Sequence, residues 1–162
     1  NNSSDGVDLD HIHKDSMFFN NILTDNHGDA IDISWSNLII ENNTIFTCID
    51  KGISVGEKSK PTILRNTIID CTIGIAIKDS SVVTADDNTL IGNRTVFSLY
   101  NKKPYFFGGT LTASDNKLLN NKKTLVTDNL STSTIQNSST ASQLDTMPTS
   151  LQSRMKQYLS DW

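Results

Sequence analysis

Gly28-Asp29-Ala30-Ile31-Asp32-Ile33-Ser34 is echoed by Asp50-Lys51-Gly52-Ile53-Ser54-Val55-Gly56-Glu57 and again by Gly74-Ile75-Ala76-Ile77-Lys78-Asp79-Ser80. In each stretch a small residue opens a segment whose aliphatics alternate with polar or small residues, the period-two pattern of a strand buried on one face. Working outward, Gly6-Val7-Asp8-Leu9 precedes and Val96-Phe97-Ser98-Leu99 follows, so that the series advances by 24, 22, 22 and 22 residues. A second series places an asparagine before aliphatics: Asn20-Asn21-Ile22-Leu23, Asn43-Thr44-Ile45-Phe46, Asn66-Thr67-Ile68-Ile69, Asn88-Thr89-Leu90-Ile91 and Asn116-Lys117-Leu118-Leu119, with steps of 23, 23, 22 and 28. Between the two lies a third apolar stretch, as in Leu38-Ile39-Ile40, Thr62-Ile63-Leu64 and Val82-Val83-Thr84.

Three short strands per repeat of about 22 residues, punctuated by Gly, Asn and Asp turns, are too few residues for a propeller blade and lack a leucine-rich consensus. They match one turn of a β-solenoid. The chain is therefore expected to be all-β, a right-handed parallel β-helix of about five coils stacked about 4.8 Å apart. Equivalent residues then lie over one another, so Ile31, Ile53, Ile75 and Phe97 form one inward ladder and Ile33, Val55, Ile77 and Leu99 a second. Asn20, Asn43, Asn66, Asn88 and Asn116 are expected to stack at a turn, where their amides bond one another. Cys48 and Cys71 each follow the repeat asparagine by five residues, which makes them neighbours on adjacent coils. Their separation is compatible with a disulfide and equally with two stacked free thiols.

Two segments depart from the repeat. Asn101-Lys102-Lys103-Pro104-Tyr105-Phe106-Phe107-Gly108-Gly109 accounts for the step of 28 and must bulge from the rod. Its aromatics either fold back over an apolar edge or, with Tyr105 exposed among lysines, meet a glycan. The reading divides the chain into a β-helix over 1–131, a Ser/Thr-rich linker over 132–147 and an amphipathic helix over 148–162. Leu151, Met155, Tyr158, Leu159 and Trp162 recur in that last segment at helical spacing, as a C-terminal cap requires. No such cap precedes Gly6, so an upstream domain or another chain is expected to cover the N-terminal end.

The 162 residues amount to one domain, and a formal net charge of −4 gives no electrostatic reason to approach nucleic acid. No apolar run nears the roughly 20 residues needed to cross a bilayer, so no membrane insertion is expected. Any secretion signal would lie upstream of Asn1.

Chemistry is expected on the outer face of the strands that carry the first series. With Val7 and Leu9 inward, Asp8 and Asp10 point outward. Stacking aligns Asp32, Ser54, Ala76 and Ser98 with Asp8, and Ser34, Gly56, Lys78 and Tyr100 with Asp10. Asp5, Asp29 and Lys51 stand at the strand entrances, with His11 and His13 beyond the first strand. Three readings fit this face. Asp8, Asp10, Asp29 and Asp32 could supply oxygen ligands to Ca²⁺. Lys51, Lys78, His11 or His13 could abstract a proton α to a uronate carboxylate, as in a lyase or C5-epimerase. The third is a solvated polar surface, which every one-sided sheet must present. His27, in the turn Asn26-His27-Gly28, reads as a loop residue.

The three quoted units resemble the pectate-lyase-type β-helix repeat of polysaccharide lyases, alginate epimerases and NosD-like periplasmic proteins, over about Gly6 to Thr127. Asp-Lys-Gly-Ile-Ser-Val-Gly-Glu also resembles β-helix modules of bacterial surface proteins, some joined to spore-coat-kinase-like domains. The expectation is an extracellular or cell-envelope module that contacts polysaccharide through Asp8, Asp10, Asp32, Lys51, Lys78, Tyr100 and Tyr105, with a lyase or C5-epimerase acting on a uronate polymer as the first alternative and a structural spacer or assembly module as the second. The resemblance itself implies a fold and does not carry over a catalytic set. Pectate lyases present an arginine base on the outer sheet, whereas Arg65, Arg94 and Arg154 lie off the outward lines. Asp10-His11-Ile12-His13 lacks the proline and the spacing of the epimerase Asp-Pro-His-Asp motif.

Overall fold

The computed structural model describes residues 2–141. Over that span the chain winds through six coils of three strands. The first coil holds β1 (Val7–Asp10), β2 (Ser16–Phe19) and β3 (Ile22–Asn26). The second holds β4 (Ile31–Ser34), β5 (Leu38–Glu41) and β6 (Thr44–Cys48), and the third β7 (Lys51–Gly56), β8 (Thr62–Leu64) and β9 (Thr67–Ile69). In the fourth lie β10 (Ile73–Lys78), β11 (Val82–Asp86) and β12 (Thr89–Ile91), and in the fifth β13 (Thr95–Tyr100), β14 (Thr110–Ser114) and β15 (Lys117–Leu119). The last comprises β16 (Leu125–Thr127), β17 (Thr132–Gln136) and β18 (Ser139–Ala141). Strands of one kind pair in parallel to give three six-stranded sheets.

Register is the one expected of stacked coils. Ile31 pairs with Ile53, Ile53 with Ile75 and Ile75 with Phe97, while Ile33, Val55, Ile77 and Leu99 form the column beside them. All eight side chains are buried, and with Ile40, Ile63, Ile45, Ile68 and Leu90 from the other two sheets they make one continuous core. β-Branched residues dominate because they pack tightly against neighbours on a pleated surface.

The corners follow one rule. A residue in left-handed backbone geometry turns the chain, and at most rungs the next residue turns a polar side chain toward a neighbouring coil. Asn20, Asn42, Arg65, Asp87 and Asp115 have φ near +55°, and the ladder proper is Asn21, Asn43, Asn66, Asn88 and Asn116. The first rung is thus Asn21 rather than Asn20, whose side chain instead meets Asn42 outside the ladder. Five residues on, Asp25, Thr47, Asp70, Gly92 and Asn120 turn a second corner the same way. Ser36 and Ser59 mark a third, with the Ser59 hydroxyl accepting the Ser36 N–H.

The β-helix has one coil more than the sequence reading allowed. Residues 132–141, expected to begin a linker, hold β17 and β18, which pair in register with β14 and β15. Ser and Thr hide this coil from a hydrophobicity pattern, and none of the described side chains of residues 132–140 is buried. The helix expected over 148–162 lies outside the described residues.

Candidate functional site

The outer face of the first sheet carries the expected lines: Asp8 pairs with Asp32, Asp32 with Ser54, Ser54 with Ala76 and Ala76 with Ser98, while Lys78 pairs with Tyr100. Exposure changes along it. Asp8 and Asp10 are open to solvent and Asp32 is half-buried, but Lys51, Ser54, Gly56, Ala76, Lys78 and Ser98 are buried. The expected open strip of aspartates and lysines therefore exists only at its N-terminal end.

Its centre is a network of ion pairs. Lys51 Nζ lies 2.9 Å from Asp29 Oδ1 and also contacts Asp50, and the Lys51 backbone N–H donates to Asp29. Lys78 reaches back past Gly56, where a Cβ would stand 3.1 Å from its Cε, to place Nζ 3.7 Å from Asp32 Oδ1. Glu57 accepts from the Ser34 hydroxyl at 2.7 Å and pairs with Lys103 of the insertion. Burial on its own would lower the Lys51 pKa, but Asp50 and Asp29 outweigh it and raise the ammonium well above the ordinary lysine range. Lys51 is thus tied to two carboxylates rather than standing open on the face. Burial raises Asp29, with Lys51 opposing, and burial opposed by Lys103 and Ser34 leaves Glu57 lowered. Burial raises the Tyr100 phenol.

Asp8, Asp10, Asp29 and Asp32 do not form one shell. Asp29 is turned to Lys51, Asp10 to His11 at 2.9 Å and Asp32 toward Lys78. Among the described residues no group of three or more His, Cys, Asp or Glu side chains surrounds a common point. Asp8, crowded by partial burial and by Asp32 and Asp10, has a raised pKa. His13 is exposed, and His27 Nδ1 lies 2.9 Å from the Asn2 carbonyl oxygen in its loop. Arg65 sits at the first corner, paired with Glu41.

Beside this face runs a ridge that the repeat does not announce. His11, Trp35, Lys58 and Ser80 are left-handed residues of the third corner, with φ of 55°, 51°, 59° and 61°, and Glu57 and Asp79, before the last two, are left-handed as well; the His11, Trp35 and Lys58 side chains are exposed. The His11 ring stacks on Trp35 at 6.3 Å between centroids, Phe106 meets Trp35 edge-on at 5.8 Å, and Lys58 Nζ lies 5.9 Å and 5.8 Å from the two ring centres. Trp35 remains 46% exposed. An open groove adjoins it, lined by Asn37, Lys58, Lys60, Ser80 and Val82. The signal for this site was a tryptophan at a turn position, which contributes nothing to core periodicity and so must be explained by its outer surface.

The insertion completes the ridge. Asp79 Oδ1 accepts the N–H groups of Lys102 and Lys103 at 2.8 and 2.7 Å, Ser80 bonds both backbone groups of Phe107, and Asn101 Nδ2 donates to Phe106 O. Thus anchored, Phe106 folds back, though onto Trp35 rather than over an apolar edge. Tyr105 and Phe107 point away and are 93% and 74% exposed.

Three parallel sheets closed by three polar corners define a β-solenoid of the right-handed parallel kind. The family model for the right handed beta helix region matches residues 1–141, and the chain belongs to that family. Its fold is similar to the crystal structure of the periplasmic alginate epimerase AlgG, with a TM-score of 0.74 and 18% sequence identity over 86% of this chain and 37% of the enzyme. A point mutant of the same enzyme gives a TM-score of 0.76 at the same identity and coverage. The chain spans well under half of that enzyme's length, and at this identity the likeness is one of fold. No match was found among curated proteins. Among the described residues no helix is long and apolar enough to cross a membrane.

Proposed function

We propose that this chain is a β-helix module of the cell envelope or extracellular space that holds polysaccharide along the His11–Trp35–Lys58–Phe106 ridge and the open Asp8 and Asp10 end of the adjoining face. The observation that carries the reading is Trp35: half-exposed, fixed from two sides by His11 and Phe106, and capped by an ammonium. A rigid aromatic face with polar groups on both flanks suits the apolar face and equatorial hydroxyls of a sugar ring, and a ridge along the rod suits a polymer. Tyr105, exposed on the insertion away from Trp35, offers a separate ring to the polymer, while Tyr100, Lys51 and Lys78 act beneath the face by fixing it rather than by touching ligand. The fold likeness to a periplasmic enzyme named for alginate is in keeping with both the partner and the location.

The test is a titration of the protein against a panel of acidic and neutral polysaccharides, with Trp35→Ala alongside. Binding to one of them, weakened at least about tenfold in the variant, is the expected result. Absence of binding across the panel overturns the reading. One observation favours catalysis as a second reading: Asp10 lies 2.9 Å from His11 Nδ1, the pairing that orients a histidine base. Release of an unsaturated uronate, seen by its ultraviolet absorbance and abolished in His11→Ala, would establish a lyase.

A further inference from the structure

The second asparagine corner has an interruption that neither the ridge nor the ion-pair face uses. Cys48 and Cys71 occupy consecutive rungs, between Asn26, the register partner of Cys48, and Asn93, whose Oδ1 accepts the Cys71 N–H. Both thiols are 3% exposed and unbonded. Each lies beside the carbonyl two residues before it: Cys48 Sγ is 3.9 Å from Phe46 O, and Cys71 Sγ is 3.6 Å from Ile69 O. The two side chains therefore adopt the same orientation. Stacked copies of one orientation separate equivalent atoms by the strand spacing, about 4.8 Å. That is far beyond an S–S bond of about 2.05 Å. It is about twice a metal–thiolate bond of about 2.3 Å.

We propose that Cys48 and Cys71 form a two-thiolate site for one soft monovalent cation of the copper(I) class, held linearly midway between the second and third coils. Thiolate sulfur selects soft cations. With no third ligating side chain among the described residues, a tetrahedral zinc site is not available. Binding is an exchange without change of oxidation state: two S–H bonds break, two sulfur–metal bonds form, and two protons pass to solvent. The bound centre carries one net negative charge and needs a donor. Asn26 supplies one, for its buried Nδ2 has no acceptor and its register partner is Cys48.

Copper(I) delivered as its acetonitrile complex, and silver(I) as a second probe, are titrated anaerobically into the reduced full chain and read by native mass spectrometry. The expected product holds one cation per chain at a mass showing two protons lost, with a thiolate-to-metal absorption band in the ultraviolet. Affinity is expected to fall at least about tenfold in both Cys48→Ser and Cys71→Ser. Thiol alkylation of the unaltered chain gives a readout that does not depend on how a serine variant folds: one bound cation should protect both cysteines together. The proposal is overturned if no cation is retained, if either single variant binds as well as the parent, if two cations bind per chain, or if refolding with oxidised glutathione yields an intramolecular Cys48–Cys71 disulfide.

Discussion

At the first corner Asn21, Asn43, Asn66, Asn88 and Asn116 pass a side-chain amide bond from coil to coil without a gap. At the second, built to the same plan, among the described residues only the pairs Asn2–Asn26 and Asn93–Asn121 do so, with Cys48 and Cys71 between them. In the complete ladder each inner asparagine works in two directions. Asn66, for example, accepts the backbone N–H and the Nδ2 of Asn43, while its own N–H and Nδ2 donate to Asn88 and to the Ile40 carbonyl. In the broken ladder Cys71 returns only a backbone N–H to Asn93, and Asn26 keeps an unused buried donor. The difference teaches that the corner is specified by the left-handed residue and the closeness of the coils, while the amide adds stability rung by rung. Thiols fit the same space but forgo the bonds.

The comparison is broken most directly at its strongest rung. Asn66→Ala strands several buried groups, each costing about 1–3 kcal/mol when unsatisfied, so a loss of about 3 kcal/mol in urea denaturation is expected. Asn93→Ala, which serves a poorer ladder, should cost about 2 kcal/mol by the same measurement. Equal costs would show that ladder continuity does not matter. Conversely, Cys48→Asn combined with Cys71→Asn should complete the second ladder and raise stability by about 1 kcal/mol, seen as a higher urea midpoint with an unchanged slope.

A third expected outcome separates the amide corners from the charged one. The ladder amides do not titrate, whereas Glu57 near the third corner is a lowered carboxylate tied to Lys103 and Ser34. A depressed folded-state pKa contributes stability that is present above the ordinary glutamate value of 4.5 and lost as pH falls through the folded value. Thermal unfolding from pH 7 to 3 should therefore show a smaller acid loss in Glu57→Gln than in the parent. Lys51 acts at the other extreme: its raised value contributes stability below about pH 10.5 that fades as pH climbs above it. The smallest effect is expected at Trp35→Ala, within about 0.5 kcal/mol, because the ring stands outside the core. A larger loss would make the ridge a structural element.

Most of the fold was legible because a stacked coil repeats its environment, so the inward positions Ile31, Ile53 and Ile75 recur at one interval and declare themselves. The final coil was not, since Thr132 to Ala141 pairs through its backbone, which any residue except proline supplies. Of the first ladder only the first rung was misplaced, by one residue, because Asn20 and Asn21 are chemically alike and only the register with Asn42 and Asn43 tells them apart. On the outer face of the first sheet, alternation correctly placed Asp8, Asp10 and Asp32 outward. It carried no information on where a long side chain ends, and Lys51 and Lys78 looked like free cations until their carboxylates were seen beside them.

By itself the sequence determined the winding of the chain, its period and the identity of the inward columns, since these depend on local spacing alone. Tertiary structure alone decided which charges neutralise one another, how the insertion brings Phe106 to Trp35, and that both cysteines adopt one orientation. Those outcomes rest on side-chain reach between coils and across the loop, a distance in space that separation along the chain does not encode.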